Sequence, residues 1–188
     1  MAVDYASKGV KINSISPGYI QTPIIDKFFN TKPNPIAARK EAENHQPIKR
    51  MGTTDEIAKI TRVTKRANLV VGLCHGCFDI LHIGHIRHFM AAKDQCDLLF
   101  VSVTGDRFVN KAAGRPVIQE DERVEVVSTL KPVTGALINQ APSSVELLSL
   151  IRPSLYFKGQ EYLTIDDKNF TSERKTAANL GIEVRHTY

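Results

Sequence analysis

The chain has 188 residues, 42% hydrophobic and 24% charged, a composition that supports a buried core and excludes an intrinsically disordered protein. Its net charge of +5 and pI near 9.1 suit anionic ligands, but acidic and basic residues are interleaved rather than gathered in blocks, which argues against a nucleic-acid partner. No run is long and apolar enough to cross a bilayer, no signal peptide opens the chain and the three cysteines are odd in number, so a soluble, reducing compartment, by default the cytoplasm, is expected, with no membrane partner.

Residues 1–8 are compatible with helix and end at Gly9, a suitable C-cap. Residues 10–16 alternate apolar and polar like a strand, which Pro17 and Gly18 terminate. Pro23, Pro33, Pro35 and Pro47 are expected to keep the next stretch from forming one continuous regular element. Thr53 and Glu56, at capping-box spacing ahead of Ile57, Ala58 and Ile60, mark a helix start.

Past the basic stretch from Arg62 to Arg66 the pattern becomes regular. Strands are expected over 69–73, 98–103, 133–137, 155–158 and 182–185, with helices over 83–93, 119–130, 143–151 and 172–180 between them. Ser143 or Ser144 serves as a cap, and Gly181 ends the last helix. Strands alternating with helices imply right-handed βαβ units and a doubly wound, parallel α/β sheet. Asp79, Asp106 and Lys158 fall at or just after strand ends, so they should share the rim where such sheets bind ligands.

Four of the six histidines lie between His75 and His88. His82 and His85 sit three apart at a helix start, where backbone N–H groups and the helix dipole favour an anion and Gly84 lets a phosphate approach the backbone. Two imidazoles there can donate to phosphoryl oxygens as charge grows, which is most of what nucleotidyl transfer asks of a protein. Cys74 and Cys77 form a C-x-x-C, but Cys96 is the only other cysteine, which falls short of the four ligands of a structural zinc site, so no protein-bound metal is expected. His88 reads as a surface or satisfied core residue. Asp79 either caps the turn or reaches a nucleotide.

Residues 2–23, from Ala2 through Pro17-Gly18-Tyr19-Ile20-Gln21-Thr22-Pro23, resemble the carboxy-terminal third of a short-chain dehydrogenase/reductase, and residues 46–58 continue the likeness. The resemblance implies that Pro17, Gly18, Ile20 and Thr22 border the nicotinamide end of a cofactor. That fold also needs an amino-terminal glycine-rich βα turn, which does not precede Met1 here, and a Tyr-x-x-x-Lys pair, for which Tyr5 and Lys8 have the wrong spacing. Residues 1–60 are therefore expected to be a dehydrogenase fragment appended to a second unit, 61–188.

Gly76, Phe78, Asp79, His82, Gly84 and His85 fit G-x-F-D-x-x-H-x-G-H, and the second unit resembles the cytidylyltransferase-like nucleotidyltransferases. Residues 103–111 with Gly114-Arg115-Pro116-Val117, and Lys158-Gly159-Gln160-Glu161-Tyr162, are similar to motifs of the branch acting on sugar or polyol phosphates. The resemblance implies catalytic roles for His82, His85 and Lys111, and nucleotide contacts for Gly76, Phe78, Asp79, Gly84, Asp106, Arg123, Lys158 and Gly159. It further implies a nucleoside triphosphate, CTP or ATP, carrying Mg2+, a sugar- or polyol-phosphate acceptor, release of pyrophosphate, and a homodimer by analogy. The family's Ser/Thr-rich motif after the last strand has no counterpart by Tyr188, from which weak triphosphate binding is expected. A catalytically incomplete nucleotide-binding remnant is the alternative, as is an NAD(P)-dependent oxidoreductase if the missing part is encoded upstream.

Overall fold

The computed structural model describes residues 29–44, 54–109 and 114–187. Five strands, β1 (Val71–Gly76), β2 (Leu98–Thr104), β3 (Gly135–Asn139), β4 (Leu155–Gly159) and β5 (Glu183–Thr187), form one parallel sheet in the order β3-β2-β1-β4-β5. Six α-helices accompany them among the described residues: α1 (Pro35–Asn44), α2 (Thr54–Arg66), α3 (Ile83–Lys93), α4 (Glu120–Ser128), α5 (Val145–Ile151) and α6 (Lys168–Asn179). This is the expected doubly wound α/β sheet. Strand order reverses between β1 and β4, and such a reversal opens a crevice beyond the strands' carboxyl ends.

Strands buried on both faces should read as nearly unbroken apolar runs, and Leu98-Leu99-Phe100-Val101-Ser102-Val103 does. Alternate residues feed two cores. Val71, Leu73 and Tyr156 meet Leu147, Leu148 and Ile151 of α5 and Phe170 and Ala177 of α6. On the opposite face Cys74, Leu99, Val101 and Phe157 meet Phe89 and Ala92 of α3 and Val127 of α4. Each fully buried Leu, Val, Ile or Phe contributes about 1.5–3 kcal/mol, so these two layers hold the strand ends in place.

The boundary expected near residue 60 falls inside α2. Ala58 and Thr61 are buried, Ile60 packs on the core shared with α5, and the helix touches both α5 and β1. Thr53 of the expected capping box, the helix over 1–8 and the strand over 10–16 lie outside the described residues, as do Pro17, Gly18, Ile20, Thr22 and Lys111.

Several boundaries differ from the sequence expectation. The proline-rich stretch contains the ten-residue α1: Asn34 Oδ1 accepts the Ala37 N–H at 3.1 Å, and Pro35 occupies the first helical position, where its missing N–H costs nothing. β1 starts at Val71 rather than 69 and runs on to Gly76, because Asn68 turns the chain at φ 58° and pairing with β2 continues to Gly76 opposite Val103. β3 is displaced to Gly135–Asn139 for the same reason, its pairing with β2 ending at Thr104 opposite Asn139. α6 begins four residues ahead of the expected start, at Lys168, because Asp167 Oδ1 caps the Phe170 N–H at 2.7 Å. Among the described residues no helix is long and apolar enough to cross a membrane.

Candidate active site

A cleft of about 590 Å3 opens at the carboxyl ends of β1 and β4, within the range of small-molecule sites. His75, Gly76, Cys77 and Phe78 line it from the end of β1, and His82, Gly84, His85 and His88 from the start of α3. Lys158, Gly159, Glu161 and Tyr162 line it from β4 and the turn after it, and Glu173 from α6.

The first turn of α3 is built from imidazoles. His82 is the N-cap, its Nδ1 accepting the Gly84 N–H at 3.1 Å, while His85 Nδ1 accepts the His82 N–H at 3.3 Å. This is a capping box in which both side chains are histidines. The rings stack with centroids 3.8 Å apart at 24°. A ring nitrogen that accepts a main-chain N–H carries no proton, so the tautomer these contacts select places the ring proton on Nε2.

Gly84 also seats the His82 ring against the helix start. Its own N–H is already taken by His82, and a Cβ there would stand 2.9 Å from His82 Cε1 and 3.0 Å from Nδ1. The glycine makes room for the imidazole. Gly76 likewise makes room for Phe78, whose ring would be 3.0 Å from an added Cβ. Phe78 holds a left-handed backbone at φ 53°, uncommon for a bulky residue, with its ring edge-on to His85 at 5.2 Å and to Phe89 at 5.0 Å.

Asp79, Asp106 and Arg123 stand behind the cleft wall rather than in its lining. Both Asp79 oxygens accept the Val117 N–H, at 3.0 and 3.1 Å; Oδ1 also accepts the Ile118 N–H at 3.1 Å and Oδ2 the Arg115 guanidinium at 3.0 Å. Burial alone would raise the Asp79 carboxyl, but the two main-chain donors and Arg115 hold it below its ordinary value. Of the two readings left open for Asp79, these partners are those of a clamp on residues 115–118. Arg123, 2% exposed, donates to the carbonyls of Cys77, Thr104 and Ile118 and to Asp106 Oδ1, tying the ends of β1 and β2 together.

On the other side of the cleft the Lys158 ammonium lies 2.9 Å from Glu173 Oε2, with both side chains at 5% exposure or less. Burial would raise the Glu173 carboxyl, but Lys158, then His75 and the Ser144 N–H, keep it low. His75, its Nδ1 2.7 Å from Ser102 Oγ, is pushed down to about 4 by burial and by Lys158. His88, hydrogen-bonded through Nδ1 to Thr187 Oγ1, is likewise lowered to about 4 by burial and by Lys158. Both imidazoles are thus neutral floor groups at neutral pH. His88 is the satisfied core residue of the two readings given for it, and it also edges the cleft.

Sequence reasoning passed over His75 and Glu173 as lining residues. The signal for Glu173 was present: Phe170, Glu173 and Ala177 recur at helical spacing and all three are buried, a carboxylate on a helix's inward face.

A family description, Cytidylyltransferase-like, matches residues 73–186, more than half of the chain. The chain belongs to the cytidylyltransferase-like family. A second family description, Enoyl-(Acyl carrier protein) reductase, matches residues 1–63 and ends within α2, ahead of the start of the first match in β1. Relatives of the cytidylyltransferase-like part include the Bifunctional protein HldE of Rhodopseudomonas palustris (strain ATCC BAA-98 / CGA009), 36% identical over 114 residues, covering 60% of this chain and 23% of that protein. The Bifunctional protein HldE of Bradyrhizobium sp. (strain ORS 278) is 38% identical over 109 residues, 57% of this chain and 22% of that protein. The chain thus spans under a quarter of the length of these relatives. Among solved structures, the lipopolysaccharide core biosynthesis protein from Thermoplasma volcanium GSS1 matches with a TM-score of 0.52 and 26% identity, over 63% of this chain and 93% of that one. The cytidylyltransferase-like segment begins within β1 and ends in β5, so it contains the whole cleft and both histidines of the α3 cap.

Proposed function

We propose that the chain transfers a nucleoside monophosphate from CTP or ATP to a sugar- or polyol-phosphate and releases pyrophosphate. An oxygen of the acceptor phosphate attacks the α-phosphorus, the new P–O bond forms as the bond to the bridging β-phosphate oxygen breaks, and pyrophosphate leaves with that electron pair. The observation that carries the reading is the imidazole cap of α3. Its two Nδ1 atoms accept main-chain N–H groups, so in its neutral form each ring's donor is its Nε2–H, at a positive helix end beside the cleft. Such fixed donors compensate the charge that builds on phosphoryl oxygens without reorganising, and removing one commonly costs about 10²–10³ in rate.

In this reading Gly76 and Phe78 shape the wall beside His85, Lys158 and Gly159 meet the nucleotide from β4, and Asp79, Asp106 and Arg123 hold the loops that carry the site. Lys111 is assigned the acceptor or triphosphate contact by resemblance alone. Magnesium would arrive on the triphosphate, whose charge it neutralises. The Glu173 carboxylate in the cleft is engaged by Lys158, the Tyr156 hydroxyl and the Ser144 N–H. The three free cysteines agree with a reducing, cytoplasmic setting.

The test is pyrophosphate release with CTP or ATP and a panel of sugar and polyol phosphates. Release that depends on one acceptor and falls in a folded His85→Ala variant supports the proposal. A thermal shift with nucleotide but no release with any acceptor would make the protein a nucleotide-binding remnant instead.

A further inference from the structure

Lys158 is the cation that β4 presents to the cleft, and a lysine is a poor fixed donor on its own. Its charge sits on a flexible four-carbon stem, and an ammonium taken out of water needs a counter-charge. Both problems are met by one residue on a different element. Glu173, on α6 and 1% exposed, places Oε2 2.9 Å from the Lys158 ammonium. That carboxylate is itself fixed twice: Oε2 accepts the Tyr156 hydroxyl at 2.8 Å, and Oε1 accepts the Ser144 N–H at 2.9 Å. Ser144 Oγ completes the ring of contacts with the Tyr156 hydroxyl at 2.8 Å. The ammonium is also surrounded by aromatic faces, 4.6 Å from the Tyr162 ring centroid and 5.5 Å from those of Tyr156 and Phe170.

The arrangement fixes where the ammonium points. One of its three N–H donors goes to Glu173, and both residues still line the cleft. We propose that Glu173 is a positioning residue: α6, through Glu173, holds the Lys158 ammonium in the geometry in which it meets the nucleotide. The proposal rests on the nucleotidyl-transfer reading of the same cleft. Ser144, at the N-cap position of α5, is the third element's contribution, and its hydroxyl is used for this network rather than for capping its own helix.

The claim predicts coupling between Lys158 and Glu173. CTP and ATP, each with magnesium, are titrated calorimetrically into the full chain and into Lys158→Met, Glu173→Gln and the double variant, with folding checked by thermal melting. Each single change should weaken the nucleotide about tenfold, and the double variant should be no weaker than the poorer single, because both changes remove one positioned donor. Glu173→Asp, which keeps the charge one methylene back, should fall between wild type and Glu173→Gln, a graded rescue that a purely structural role would not give. If Glu173→Gln does not fold, Glu173→Asp carries the test alone, and wild-type affinity in that variant overturns the proposal. Independent losses that multiply to about a hundredfold in the double variant would also overturn it. So would a Glu173→Gln variant that melts lower yet binds like wild type. Wild-type protein that binds neither nucleotide would overturn the functional reading itself, whereas binding that is weakened by His85→Ala and untouched by Glu173→Gln would sink only the positioning role.

Discussion

Replacing Asp79 by Asn separates a structural carboxylate from a nucleotide ligand. The native side chain has no exposed surface and accepts the main-chain N–H groups of Val117 and Ile118 together with the Arg115 guanidinium. An amide of the same shape keeps one oxygen, so its NH2 group must face at least one of those donors. A hydrogen bond to a charged acceptor contributes roughly 1.5–3 kcal/mol, and a buried donor left unpaired costs a comparable amount. The Arg115 side chain, 34% exposed, recovers water and adds little. The expected destabilisation is about 3 kcal/mol, which for a chain of this size lowers Tm by about 6–12 °C. Circular dichroism melts of wild type and Asp79→Asn measure it, with nucleotide titration below the melting range as the second readout. Affinity should change much less than in His85→Ala. A melt within about 2 °C of wild type together with lost nucleotide binding would refute the clamp and return Asp79 to the nucleotide.

Other outcomes follow from the same geometry. Gly84→Ala should change Tm little, since alanine favours helix by about 1 kcal/mol but its Cβ displaces the His82 cap, of comparable worth, while turnover falls because the imidazole 2.9–3.0 Å away is moved; parallel melting and pyrophosphate assays check this. His82→Ala should lose about 1 kcal/mol of helix capping and about 10²–10³ in rate, a split that separates the two uses of one ring. His75 and His88 are lowered to about 4 in the folded protein against about 6.5 unfolded. Between those values the unfolded chain binds more protons, so stability falls as pH drops from about 6.5 towards 4, by at most about 1.4 kcal/mol per pH unit for each ring. Melts at a series of pH values should show that slope, and it should be shallower in His88→Gln.

Much of the fold could be read from the chain because parallel strands and their helices leave strong patterns. The helix over 83–93 has the expected bounds, and the five strands occur in the expected order. What shifted were ends set by long-range pairing: β1 runs to Gly76 because β2 is there to pair with it, which no local pattern in Leu69 to Leu73 encodes. α1 and the start of α6 were legible in principle from Asn34-Pro35 and from Asp167, whose side chains cap them. In the cleft, motif residues such as His82, Gly84 and His85 come from one continuous run and so were found together. Glu173 was missed because it meets Lys158 only through the packing of α6 on β4 and β5, although a lysine ending the apolar strand Leu155-Tyr156-Phe157 already implied a buried counter-charge somewhere. Asp79 lies within the motif run, but whether its side chain faces the cleft or braces its wall depends on residues 115–118, distant along the chain, as Arg123 on α4 depends on residues 104–106.

Nucleotidyl transfer at the imidazole cap of α3 can be followed directly through phosphorus. Phosphorus-31 NMR of the full chain with CTP or ATP, magnesium and a sugar or polyol phosphate follows every phosphate at once. Pyrophosphate and a new diphosphate diester should appear in equal amounts with one acceptor, and neither should appear with a folded His85→Ala variant. Pyrophosphate formed with no diester, or equal turnover by His85→Ala, would contradict transfer at this cap.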